Sequence, residues 1–173
     1  MVETAAVAIS VPAEAIIREI EALGITHVIN VPDTHQKTVL AALARQTHPI
    51  LITACTEDEA VGINAGLWAG GKKPMLLIQN TGLLASINCI KGIAMDAGVP
   101  TFMLVGLFSR DVTKSPSDDP KRVINKIGPT LDTWEIPWYP LEQPDQIGNI
   151  AEAYRRSLET RGPTVCLVGA PTS

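Results

Sequence analysis

Short apolar runs alternate repeatedly with stretches of helical periodicity, and that alternation constrains the fold more than any other feature of the chain. The runs are THVINV, PILITA, KPMLLIQ, TFMLVGLF and TVCLVG, rich in β-branched and aliphatic residues. Between them lie segments long enough to cross from one parallel strand to the next. The first helical segment, PAEAIIREIEALG, begins at Pro12, sets Ile16, Ile17, Ile20 and Leu23 on one stripe, and ends at Gly24, a residue suited to the left-handed cap. Further helical patterns run from about Gln36 to Arg45, onward from Glu57, from Leu83 to Ala97 and from Gln146 to Thr160. Strands that are apolar on both faces and joined by helices predict an α/β fold, a three-layer open mostly parallel sheet with helices on both faces.

Composition bounds what such a fold does. The 173 residues make one domain spanning 1–173, and the chain is 46% hydrophobic but only 18% charged, against roughly 25% for an ordinary soluble domain. A covered sheet and a partner interface both account for so little charge. Fourteen Lys and Arg against eighteen Asp and Glu give a net charge of -4 without a basic block, which argues against nucleic acid. No apolar run reaches membrane-spanning length, and MVETAAVAIS lacks the basic start of an export signal, so no membrane contact and a cytoplasmic location are expected. Cys55, Cys89 and Cys166 are scattered through apolar surroundings and read as buried, reduced thiols; no metal ligand set is apparent. Between Ser109 and Trp138 the chain is more polar, carries four prolines and reads as a loop with one or two short helices.

In open α/β sheets ligands meet the carboxyl ends of the strands, which directs attention to three loops. In VPDTHQK, Asp33, Thr34 and His35 either face a ligand or form a turn in which Asp33 caps the next helix. In TACTEDEAVGINAG, Thr56 and Glu59 fit a capping box, which explains Glu59, whereas Glu57 either favours the helix end electrostatically or has a functional use. In QNTGLLASIN, Gln79, Asn80, Thr81, Ser86 and Asn88 gather polar atoms beside an apolar strand, as turn caps or as an anion site near Gly82.

Together these segments resemble the pyrimidine-binding, or PYR, domain of thiamine-diphosphate-dependent decarboxylases. The run TEDEAVGINAGLWAGGKKPMLLIQNTGLLASIN is similar to the amino-terminal part of sulfopyruvate and phosphonopyruvate decarboxylases, and ITHVINVPDT to the strand and loop preceding it. The resemblance places Glu57, nine residues before Gly66, at the cofactor-activating glutamate. That carboxylate contacts N1' of the aminopyrimidine and promotes the imino tautomer that creates the ylid nucleophile. Asn80 and Thr81 then fall among the cofactor-binding residues. Asp33, Thr34, His35, Ser86 and Asn88 fall where the substrate is oriented, and His35, a departure from the hydrophobic residue usual there, is a second candidate for acid/base catalysis.

The implied cofactors are thiamine diphosphate and Mg²⁺, and the implied substrate is a small 2-oxo acid, with sulfopyruvate giving sulfoacetaldehyde and CO2 on the route to coenzyme M. A GDG motif with its following Asn, which marks the diphosphate- and magnesium-binding PP domain, occurs nowhere in the chain. The resemblance therefore implies the alpha subunit of a hetero-oligomer whose PP-domain beta subunit binds the metal. A phosphonopyruvate decarboxylase, another two-subunit lyase or carboligase, and a noncatalytic PYR-fold assembly protein remain as alternatives.

Overall fold

The computed structural model describes residues 9–173. Six strands, β1 (His27–Asn30), β2 (Ile50–Thr53), β3 (Pro74–Gln79), β4 (Thr101–Gly106), β5 (Trp138–Leu141) and β6 (Pro163–Val168), form one sheet in the order β2-β1-β3-β4-β6-β5. Every pairing is parallel, in a register that aligns His27 with both Ile50 and Pro74 and Leu104 with Cys166. The α/β class and the covered parallel sheet follow the sequence periodicities.

Alternation along the strands divides the core in two. Val28, Met75, Leu77, Phe102, Leu104 and Cys166 point to one face, where α1 (Ala13–Ala22), α2 (Lys37–Leu43) and α8 (Asn149–Thr160) cover them. Ile29, Leu76, Ile78, Met103, Val105 and Val165 point to the other. That face is covered by α3 (Glu57–Ala69), α4 (Asn80–Ala85), α5 (Ile87–Cys89) with a π-helical turn over Ile90–Asp96, α6 (Arg122–Asn125) and α7 (Ile127–Thr133). In α1 the isoleucine stripe is buried, and Gly24 takes φ +67°, as a left-handed cap requires.

Three sequence expectations are corrected. The segment from Leu83 to Ala97 is not one helix: it breaks at Ser86, whose hydroxyl donates to the Leu83 carbonyl at 3.1 Å, and then widens into the π turn. The strand β5 was hidden by Pro140, which the sheet tolerates because β5 is an outer strand. Of the cysteines only Cys166 is buried; Cys89 is partly covered and Cys55 is exposed. Among the described residues no helix is long and apolar enough to cross a membrane.

The chain order reverses at the centre of the sheet. From β1 it passes outward to β2, then returns across β1 to β3. The loops leaving β1 and β3 therefore diverge above a crevice at their carboxyl ends, which is where open α/β sheets bind ligands.

Candidate active site

The loop after β1 is held by a buried carboxylate. Asp33 is 2% exposed, and its Oδ1 accepts from the His35 amide at 2.8 Å, the turn expected of an Asx residue. Gln79 Nε2, at the end of β3, donates to the same oxygen at 3.2 Å, and Gln36 Nε2 donates to Oδ2 at 3.1 Å. Gly106 at the end of β4 leaves the room: a Cβ there would overlap Oδ2. Both carboxylate oxygens thus have donors from the chain itself, bracing the β1 loop against β3 and β4. Gln36 and Gln79 carry this brace, and only their contacts, not their spacing, reveal it.

Thr34 is exposed at the loop tip, and His35 is half-buried. The imidazole of His35 is turned toward the backbone carbonyls of residues 168–170, past the end of β6, and its buried Nε2 has no hydrogen-bond partner. Burial lowers its pKa from the usual 6.5, opposed by the Asp33 charge and by those carbonyls.

Glu57 occupies the first position of α3, directly after the loop leaving β2. The expected capping box is not made. Glu59 reaches back to the Cys55 amide at 2.7 Å, one residue before the cap, and the Thr56 side chain makes no cap bond. The Thr56 hydroxyl is the main cause of a lowered pKa at Asp58 instead. Glu57 takes no part in this capping. Its side chain lies across Gly82 of α4, where a Cβ would overlap its Cγ, Cδ and Oε1, and its partly exposed carboxylate has no hydrogen bond or ion pair among the described residues.

Around it, Asn80 is fully buried; its Oδ1 accepts from the Thr81 amide at 2.9 Å while its Nδ2 donates to nothing. Exposed Thr81 donates to Gln79 Oε1 at 2.7 Å, which ties it to the Asp33 brace. Ser86 is buried with its hydroxyl spent on the break after α4, and Asn88 is exposed on α5. The crevice therefore brings together Glu57, Asn80, Thr81, Gln79 and, beneath them, Asp33. His35 is turned to the neighbouring end of β6.

An apolar cavity of about 290 Å³ lies elsewhere, past β4, β6 and β5, lined by Leu107, Ile124, Ile127, Trp138 and Leu167 among others. It contains none of the candidate residues, and although the unpaired Oδ1 of Asn125 lies on its wall, its lining is mainly apolar. Among the described residues no three His, Cys, Asp or Glu side chains gather as a metal site.

Residues 12–123 match the family described as thiamine pyrophosphate enzyme, N-terminal TPP binding domain. The chain belongs to that family. It is 32% identical over 133 residues to the sulfopyruvate decarboxylase subunit alpha of Methanocaldococcus jannaschii, covering 76% of this chain and 77% of the relative. The corresponding alpha subunit of Methanococcus maripaludis is 30% identical over 158 residues, covering 91% and 93%. Among solved structures, benzoylformate decarboxylase from Polynucleobacter necessarius superposes with a TM-score of 0.73 over 91% of this chain and 29% of its own, at 20% identity, and shares the fold. This TPP-enzyme domain is thus of the alpha-subunit kind found in sulfopyruvate decarboxylases and their relatives.

Proposed function

We propose that the chain is the cofactor-activating alpha subunit of a thiamine-diphosphate-dependent 2-oxo-acid decarboxylase, with sulfopyruvate as its substrate and sulfoacetaldehyde and CO2 as its products. The observation that carries the reading is the state of Glu57: it is a carboxylate at the carboxyl edge of the sheet, held in place by a glycine and left without a donor. Asp33, close by in the fold, has donors on both oxygens. An acceptor kept open at this edge suits a proton-bearing ring nitrogen supplied from outside the chain.

The residues present fit the aminopyrimidine end of thiamine diphosphate. Glu57 would share a proton with its N1', and the orphaned Nδ2 of buried Asn80 is a donor in want of an acceptor on the same crevice. When bound, the cofactor supplies the electron sink for cleavage next to a carbonyl. In the overall reaction the C1–C2 bond of the 2-oxo acid breaks, CO2 leaves, and the electron pair left at C2 takes up a proton to give the aldehyde. Thr34, exposed in the loop after β1, and Thr81, exposed in the first turn of α4, are positioned to orient the acid groups of the substrate, and the Asp33 brace keeps the two segments in register.

The diphosphate and Mg²⁺ belong, on this reading, to a PP-domain beta subunit, consistent with the alpha-subunit relatives. The outward face of α3 supports such a partner. That helix is apolar on nearly every side, yet Gly62 and Gly66 have open space where a Cβ would stand, and Ile63 and Leu67 are only partly covered. A cytoplasmic location and a place on the route to coenzyme M go with this substrate.

The test is copurification of the native complex, followed by measurement of CO2 and aldehyde from sulfopyruvate, phosphonopyruvate and benzoylformate with thiamine diphosphate and Mg²⁺. The reading expects turnover of sulfopyruvate by the complex and none by the chain alone. Decarboxylation by rigorously partner-free chain would refute the division of labour, and turnover confined to another acid would refute the substrate.

A further inference from the structure

Among the described residues, three carboxylates lie against glycines where a Cβ would overlap them: Asp33 on Gly106, Glu142 on Gly169 and Glu57 on Gly82. The first two are also tied by hydrogen bonds. Asp33 accepts from three groups, and Glu142 takes a two-point contact from the buried Arg110, with Nε to Oε1 at 2.8 Å and Nη2 to Oε2 at 3.2 Å. The Glu57 carboxylate shares the seat on a glycine but has no hydrogen bond or ion pair among the described residues to fix it.

Gly82 has no conformational reason to be glycine. It sits inside α4 and is not among the residues with positive φ, and glycine within a helix is less stable than alanine. What it provides is space, since the three atoms nearest to a Cβ at this position all belong to Glu57. The surrounding packing is fixed, with Leu83, Ala60 and Val61 fully buried. A methyl group at 82 is accommodated most cheaply by rotating the unbonded Glu57 side chain off its seat, with α3 and α4 left in place.

Accepting Glu57 as the cofactor-activating group, we propose that Gly82 is a positioning residue for it: the missing Cβ sets where the carboxylate stands, at a cost to the helix that carries the glycine. Gly82 touches neither cofactor nor substrate in this role.

The test combines Gly82→Ala, Glu57→Ala and the double variant, each assayed for thermal unfolding of the full chain and for turnover in the complex with its PP-domain partner. Gly82→Ala is expected to leave the melting temperature undiminished while kcat falls at least about tenfold at unchanged KM, part or all of the roughly 10²–10⁴-fold that a proton-transfer group contributes. In the Glu57→Ala background it is expected to raise the melting temperature by more than in the wild type and to cost no further rate. Wild-type kcat for Gly82→Ala, or a loss that persists in full on top of Glu57→Ala, would overturn the proposal. Should Gly82→Ala fail to fold, a folded double variant supports the steric account and an unfolded one overturns it. Wild-type turnover by Glu57→Ala is a different result, and it would sink the reading of Glu57 itself.

Discussion

Two carboxylates on the same edge of the sheet, each resting on a glycine, are held in opposite ways. Asp33 is buried and both its oxygens are hydrogen-bonded by donors from three residues, which ties the loop after β1 to the sheet. Glu57 is partly exposed and has no donor among the described residues. A folded chain keeps an acceptor open at some expense in stability, because a bonded carboxylate is the more favourable state. The difference teaches that the site is recognised by what the chain leaves unsatisfied rather than by how many polar residues are near.

The contrast is sharpest at Glu57. Glu57→Gln in the complete complex is expected to lower kcat by about 10²–10⁴-fold, the usual contribution of a proton-transfer group, measured by CO2 release. Its unfolding free energy should change by no more than about 0.5 kcal/mol, as for a substitution with no partner to lose. At Asp33 the order reverses. Asp33→Ala leaves the His35 amide and Gln79 Nε2 without this acceptor, while buried Gln36 keeps the Ile78 carbonyl at 3.3 Å, and should appear as a drop of about 1–3 kcal/mol in urea-unfolding stability. Gly106→Ala presses on the same carboxylate, and overpacking there should cost about 1–3 kcal/mol, in contrast to Gly82→Ala, which displaces only an unbonded side chain.

Comparison of these two seats also explains what was legible in the sequence. The apolar runs reported the sheet because its inner strands are buried on both faces, and the isoleucine stripe of α1 reported its buried side. Pro140 concealed β5, and an edge position, which only the assembled sheet reveals, is what makes that proline tolerable. The role proposed for Glu57 comes from the resemblance, since its helix-start position alone also fits an electrostatic role. The turn of Asp33 onto its own loop is one reading of VPDTHQK, but its bond to Gln79, 46 residues away along the chain, was not legible. The segment around Gly82 reads as a turn or an anion site, and only the overlap with Glu57 gives the glycine inside a helix a cause.

His35, beside Asp33, provides a smaller effect with a definite sign. Burial lowers its pKa in the folded chain, so the unfolded chain takes up a proton first as the pH falls. Its contribution to stability is fully present above about pH 6.5, the unfolded value, and is lost as the pH falls through the lower folded pKa. Wild-type chain should accordingly lose stability relative to His35→Gln on acidification below that point, and parallel stability–pH curves for the two proteins would contradict the burial of the ring.

The smallest effect is a difference in labelling. Burial pushes the Cys166 thiol up to about 12, whereas Cys55, two residues before Glu57, is exposed. Mass spectrometry after brief alkylation of the native chain should find Cys55 modified and Cys166 intact until the chain is unfolded.

The most direct measurement follows the proton that, on the proposed function, Glu57 controls. In the complex loaded with thiamine diphosphate and Mg²⁺, exchange of the cofactor C2 proton with solvent deuterium is timed by quenched-flow NMR for the wild type and Glu57→Gln. The account predicts a slowing of about 10²-fold or more with the cofactor still bound; equal exchange rates in the two proteins would contradict it.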